Sequence, residues 1–423
     1  MDNSYKCIIL DNGVRLIIVP DNNKSVVTTL VLFGTGSRNE KEAEAGISHV
    51  LEHMFYKGTE ALKTPIEIAE YIENIGGEHN AFTSKEYTGF YTKVASQYLD
   101  RSIEFLSELL TRPLFNSDAL EKEKDVIIEE LKMYEDLPAE VAANNFERTL
   151  FEKSSLGREV IGYRDTILSL KREDLLRYRG QHYTGPNTVI VIAGNINITE
   201  EELTNKIKTK FAFSDEKAPV YEKVGLIPGN RTSIVDKPTE QANIVLGFSG
   251  ASYASDDRLR LKLMSVILGG VMSSRMFTEV REKKGLAYTV RTSTTNYQDT
   301  GAIETCAGVP FLKLGEAIRA IRGEYKKILS GIKLDELQKA KEVLQGRMLI
   351  ALEDTNDIAH IYAMNAMFGT EFITPKGLIQ KYRELTLDDV NSSLIKYIKL
   401  KDLVVTAVGK NIDKQQIQKI IEE

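Results

Sequence analysis

The 423-residue chain is short of several things, and each shortage excludes something. It has two cysteines, Cys7 and Cys306, far apart and in no CxxC pair, so no disulfide framework organises the fold. Two lone cysteines fit reduced core positions and a cytoplasmic compartment. No apolar run approaches the ~20 residues that a bilayer span needs, and Met1-Asp2-Asn3-Ser4-Tyr5-Lys6 lacks the basic, apolar and small-residue order of an export signal. The expectation is a soluble protein with no membrane partner. The formal net charge of -6 argues against nucleic acid as a partner. No GxxxxGK[ST] phosphate loop occurs, and Gly34-Thr35-Gly36 lacks the third glycine of a dinucleotide turn. Histidine is scarce as well: His49, His53, His79, His182 and His360 are the five. Two of them stand one helical turn apart.

What is present is an ordinary globular composition, 42% hydrophobic and 27% charged, over a length suited to two or three domains. The order of patterns repeats. Val31-Leu32-Phe33-Gly34-Thr35-Gly36 is echoed from Val245 to Gly250, about half the chain further on. Asp118 to Lys124 is echoed from Asp335 to Lys341, and the strand ending at Gly194 by one ending at Gly409. The displacement is nearly the same for all three separated blocks. That indicates a duplication, and its small drift reflects loop insertions. The expected architecture is α+β: two tandem homologous α/β-sandwich domains, each a mixed sheet with helices packed on one face, and a metal site in the first. The expected spans are 1–213 for a catalytic domain, 214–226 for a polar linker and 227–423 for an inactive copy.

The metal expectation rests on Ala45-Gly46-Ile47-Ser48-His49-Val50-Leu51-Glu52-His53-Met54-Phe55, a helical pattern that Gly58 stops. Residues one turn apart share a helix face, so His49 and His53 can offer imidazole nitrogens to one ion. Glu52 borders that face and can reach a water at the ion. Zinc suits imidazole and carboxylate ligands and leaves a fourth position open for that water, whose pKa it lowers. Glu52 can then take the proton and pass it to a leaving amine. Downstream, Glu121 to Leu131 forms a second helical pattern, capped by Ser117 and ended before Pro138. Glu123 and Glu130, two turns apart, share a face of it. Viewed alone, so acidic a helix reads as a solvated surface.

His49-Val50-Leu51-Glu52-His53 followed by Glu123 and Glu130 resembles the inverzincin peptidases, the family of pitrilysin, insulin-degrading enzyme and mitochondrial processing peptidase. The likeness runs through Leu10-Asp11-Asn12-Gly13, Gly76 to Ser84, Leu268-Gly269-Gly270, Ser273 to Phe277 and Arg281 to Tyr288. It implies a zinc metalloendopeptidase holding one Zn2+ per chain on His49, His53 and Glu130. It gives Glu52 the role of general base and Glu123 that of a carboxylate orienting a ligand or the water. It makes Asn80, Ala81 and Phe82 part of an edge strand to which a peptide substrate adds as another strand. Arg281 and Tyr288 become a substrate-binding pair that hydrogen-bonds the peptide carbonyl.

In the register that sets Asp118 on Asp335, Glu123 falls on Ala340 and Glu130 on Arg347, and Leu261 to Gly270 holds no counterpart of the two histidines. Only the first domain is expected to carry a site. Large relatives hold four such domains and this chain two, which implies a homodimer, or a heterodimer with a related chain, in which Arg281 and Tyr288 act on the partner's metal site. A non-catalytic scaffold or regulatory subunit is the alternative, and such a chain is expected to lose part of the metal set.

Overall fold

The computed structural model describes residues 5–224, 228–229, 231–369 and 371–423. Met1 to Ser4, the last two residues of the expected linker and the expected first residue of the second domain lie outside that set. Two compact units form. The first joins Met1–Leu131, Arg158–Glu222 and Leu349–Phe372; the second joins Lys132–Gly157, Lys223–Met348 and Ile373–Glu423.

The first unit is built on strands β1 (Lys6–Ile9), β2 (Arg15–Pro20), β3 (Val26–Phe33), β4 (Glu78–Thr83), β5 (Thr88–Ala95) and β6 (Thr188–Gly194). They lie in the order β1-β2-β6-β3-β5-β4. β2 and β6 are parallel and every other neighbouring pair antiparallel. β1 turns into β2 at Gly13, whose φ of +84° a side chain would strain. β6 is buried along its whole length and β3 at all but its first position. That explains why both read as apolar runs without polar alternation: each is covered on both faces. One face meets helices 47–55, 99–111 and 117–135 through Leu51, Phe55, Phe105, Leu109 and Ile127.

The second unit repeats this order with β7 (Arg231–Val235), β8 (Ala242–Gly250), β9 (Thr289–Asn296), β10 (Gly301–Val309) and β11 (Val404–Val408), arranged β7-β11-β8-β10-β9. Strand for strand this is β2-β6-β3-β5-β4, with β7 and β11 again parallel. The fold is the expected one, two tandem α+β units of mixed sheet and helices.

Each sheet also receives a helix on the face that the expectation of one-sided packing left open. Ile358, Ala359, Tyr362 and Ala363 of helix Thr355–Phe368 pack on Ile17, Leu30, Leu32 and Val191 of the first sheet. Ala142, Phe146 and Leu150 of helix Pro138–Leu150 pack on Val245, Val404 and Val408 of the second. The reason is the same double apolarity: an uncovered side would leave central valines and isoleucines in water. Each half of the sequence thus lends a helix to the other unit. Among the described residues no helix is long and apolar enough to cross a membrane.

Candidate metal centre

Helix Ile47–Phe55 begins where Gly46 takes φ +98°. Its first amides are received by the buried carboxylate of Glu40, to which the N–H groups of Gly46 and Ser48 donate at 2.8 and 2.9 Å. Burial pushes the Glu40 pKa up to about 7, against the pull of those amide bonds. Ile47, Val50, Leu51, Met54 and Phe55 bury one side of the helix. His49, Glu52 and His53 remain half-buried on the other or at its border. Gly58, at φ +132°, follows the helix end.

The second helix runs Ser117–Glu135. Its cap is Asn116, whose Oδ1 accepts from the N–H of Asp118 at 2.8 Å and of Ala119 at 3.2 Å. Ser117, the expected cap, is already helical; Asn at this position caps equally well. Leu120, Ile127, Ile128 and Leu131 bury one face, and Glu123 lies with them at 5% exposure. The acidic helix is therefore not a plain solvated surface at this end.

These two helices bring three donors together. His53 Nε2 stands 3.4 Å and His49 Nε2 3.8 Å from Glu130 Oε2, and the three ligand atoms lie within 4.8 Å of one another. Ligands about 2 Å from zinc at tetrahedral angles stand roughly 3.3 Å apart, so the group closes on an ion with side-chain adjustments alone. The imidazole rings meet edge to face at 4.6 Å. Nδ1 of His53 is engaged by Glu123 Oε1 at 2.8 Å, and Lys57 Nζ donates to Glu123 Oε2 at 2.6 Å. This fixes the His53 ring with Nε2 aimed at the ion position, as an outer carboxylate does for a metal-bound imidazole.

The electrostatics say the same thing. Burial opposes a charge on His53, yet its bonds to Glu123 and Glu130 outweigh it and hold the pKa up at about 9. Burial and the neighbouring His53 push His49 down to about 4. Burial works against the charge of Glu123 too, but His53 and Lys57 keep it below the ordinary carboxylate range. Two imidazoles and the Glu130 carboxylate thus face one place, with Glu123 behind His53, and the residues present fit a divalent cation. Glu52 is raised by burial, partly countered by Thr83, whose Oγ1 donates to Glu52 Oε2 at 2.5 Å.

Asn80, Ala81 and Phe82 lie on β4, the last strand of its sheet. Ser84 N–H donates to the Tyr87 carbonyl at 2.8 Å, so ladder alternation turns Phe82 and Asn80 toward β5 and the main-chain groups of Ala81 and Thr83 outward. The Asn80 side chain accepts from the Ala81 N–H at 2.9 Å. The Phe82 ring packs on His360 at 4.8 Å and fills the space above Gly89. Phe82 thus spends its main-chain groups on β5 and its ring on Gly89 and His360, and the groups open to an added strand are those of Ala81 and Thr83. In the second unit Arg281 sits in a π-helical turn, Phe277–Lys283, with its guanidinium over Phe277 at 4.6 Å and over Tyr288 at 5.2 Å. The structure thus brings Arg281 and Tyr288 together, and Tyr288 is 76% exposed.

Comparison with known proteins agrees with the metal group. Residues 15–164 match the family described as Insulinase (Peptidase family M16), and residues 169–344 match the Peptidase M16 inactive domain. A Bacillus subtilis protein named an uncharacterized zinc protease is 35% identical over 398 residues, covering 92% of this chain and 94% of the relative. The chain belongs to peptidase family M16. An Arabidopsis thaliana protein named a probable mitochondrial-processing peptidase subunit beta is 28% identical, over 95% of this chain and 77% of its own. Among solved structures, a protease from Helicobacter pylori superposes with a TM-score of 0.89 at 24% identity, covering 96% of this chain and 99% of that one. A Pseudomonas fluorescens M16 inactive domain gives 0.89 at 18%, covering 96% and 98%. At those identities the structures speak to the fold alone.

Within the M16 frame, helix Leu334–Ala351 carries buried Ala340 and exposed Arg347, whose Nη2 donates to the Gly270 carbonyl at 2.8 Å. Three contributors lie beyond the sequence reading. Lys57 is accessible by spacing, one turn past His53 on the same face. Thr83 shares the β4 face of Ala81, a signal visible once the strand is known. Glu40 has no sequence signal, because its partners are main-chain amides.

Proposed function

We propose that the chain is a zinc-dependent metalloendopeptidase that cleaves peptides or unfolded segments in the cytoplasm. The observation that carries this reading is the convergence of His49, His53 and Glu130 beside a base, Glu52, held by Thr83. When bound, zinc supplies Lewis acidity toward water and the scissile carbonyl. The chain's own residues do the rest. Glu52, its pKa raised, takes a proton from the attacking water and delivers it to the leaving amine. Glu123 holds His53 in its orientation. The outward main-chain groups of Ala81 and Thr83 pair with an extended peptide and register its scissile bond, a contact indifferent to side-chain identity. The Asn80 amide, which occupies the Ala81 N–H, moves aside as the peptide pairs.

Arg281 and Tyr288 bind the peptide carbonyl from the second domain, and two chains pair so that this set serves the partner's metal site. The relative named a processing-peptidase subunit supports a paired state. The cytoplasmic place is supported by Cys7 and Cys306 being unbridged. Metal analysis combined with peptide cleavage tests the core of this reading. One zinc per chain is expected, with cleavage abolished by chelation and by Glu52→Gln. Full zinc with no cleavage of any peptide mixture overturns it in favour of a scaffold.

A further inference from the structure

The second unit holds a cleft of about 600 Å³ that the peptidase reading does not use. The counterparts of His53 and Glu123 in the duplication line it. In the register that sets Val31 on Val245, His53 corresponds to Ile267, and in that of Asp118 on Asp335, Glu123 corresponds to Ala340. Ile267 and Ala340 both line this cleft and, with Val266, give it an apolar floor.

Its rim carries more cations than it uses. Arg275 is forked onto Glu336 at 2.7 and 2.6 Å, Lys327 pairs with Glu324 at 2.6 Å, and Lys283 with Glu279 at 3.2 Å. Lys333 and Lys339 remain, and among the described residues neither ammonium pairs with a carboxylate. Lys339 Nζ donates only to the Ser273 carbonyl, at 3.2 Å. Next in sequence to Ser273, Ser274 lines the cleft at 3% residue exposure, and among the described residues its hydroxyl has no hydrogen-bond partner. A buried hydroxyl in that condition costs stability until an acceptor arrives. An exposed ammonium at Lys339, a buried hydroxyl donor at Ser274 and an apolar floor thus lie in one cleft.

We infer that this cleft binds a small organic carboxylate, an apolar acyl group ending in an anionic head, with the head on Lys339 and Ser274 and the body on Val266, Ile267 and Ala340. The volume suits a ligand the size of one or two amino-acid residues. A peptide's C-terminal residue and a free organic acid share this chemistry. The inference does not depend on the metal centre.

The test is calorimetric titration of the full zinc-loaded chain with N-acetyl-leucine, its C-terminal amide and 4-methylpentanoate. It is repeated after chelation and with Lys339→Met and Ser274→Ala. The expected result is saturable binding of the acids, unchanged by chelation, with the amide and the Lys339→Met chain each weaker by about tenfold, the scale of a lost charge-assisted bond. Ser274→Ala weakens it several-fold, with the circular dichroism spectrum unaltered. N-acetyl-leucine binding the more tightly identifies a peptide end as the source; equal binding identifies a free acid. The inference is overturned if no acid binds, if amide and acid bind alike, if Lys339→Met is silent, or if chelation removes the binding.

Discussion

In the proposed mechanism, single side chains set the proton chemistry around the metal group. The Thr83 hydroxyl stabilises the charged form of Glu52, so removing it raises a pKa that burial has already raised. A base must be ionised to act, and ionisation is lost as pH falls through its pKa. Thr83→Val is therefore expected to move the acid limb of the kcat/KM profile to higher pH than in the parent chain, with activity at the plateau largely kept. An unmoved limb, measured on zinc-loaded protein, would contradict the role given to Thr83. In the proposed site Glu123 acts through His53, whose Nδ1 it engages, and Glu123→Ala is expected to weaken zinc affinity by about 10- to 100-fold, readable by competition with a chelating dye. Legibility divides along the same line. His49, Glu52 and His53 announce themselves because their geometry is local, one turn of one helix. Glu130 stands on a different helix, with the whole β4–β5 hairpin between it and His53, and only the family resemblance picks it from an acidic stretch. Thr83 and Glu40 act through folding together of distant segments, which no spacing rule encodes.

Elements are legible where their apolar pattern is strong, and least where one pattern serves two surroundings. β3 and β6 stand out as apolar runs, but that they are covered on both sides depends on helices from the other half of the chain. Helices Pro138–Leu150 and Thr355–Phe368 carry apolar positions of the usual helical period, and nothing in that period names the sheet they cover. Polar anchoring between elements is equally silent in sequence. Asp257 begins helix Asp257–Ser265 and receives Lys396 Nζ at 2.6 Å, the Ser393 hydroxyl at 2.9 Å and Arg260 Nη1 at 2.7 Å. Burial opposes its charge, but these donors prevail and hold its pKa down at about 2. A depressed carboxyl stabilises the fold above its unfolded pKa near 4, and the contribution fades as pH falls toward 2. Asp257→Asn is expected to cost roughly 2 kcal/mol at neutral pH, with the gap to the parent chain closing below pH 4 in denaturant melts. A gap constant with pH would mean that packing, not charge, is lost.

At the scale of the whole chain, duplication and division of labour go together. Both units keep one strand order, yet among the described residues only the first brings a ligand group together; at the matching helix positions the second has Ala340 and Arg347. The proposed pairing of two chains makes a direct prediction. Mixing Glu52→Gln chains with Arg281→Ala chains is expected to restore cleavage well above either alone, since the mixed pair holds one site with both an intact base and an intact arginine. Failure to recover, with mixed pairs confirmed by mass spectrometry, would return Arg281 to its own chain's chemistry or to none.

The exchanged helices also impose a schedule on synthesis. The sheet that presents β4 and supports the metal helices has all its strands once Gly194 has emerged, but the helix that covers its second face ends at Phe368. A ribosome adding about 5–20 residues per second takes roughly 10–35 s over that interval. For that time Ile17, Leu30 and Val191 stay uncovered. The nascent metal domain is thus an unfinished, sticky object for much of its own translation. The sheet that carries the metal helices is covered on its second face only near the end of the chain, so in the proposed peptidase the finished fold, and with it the proposed activity, comes late in synthesis.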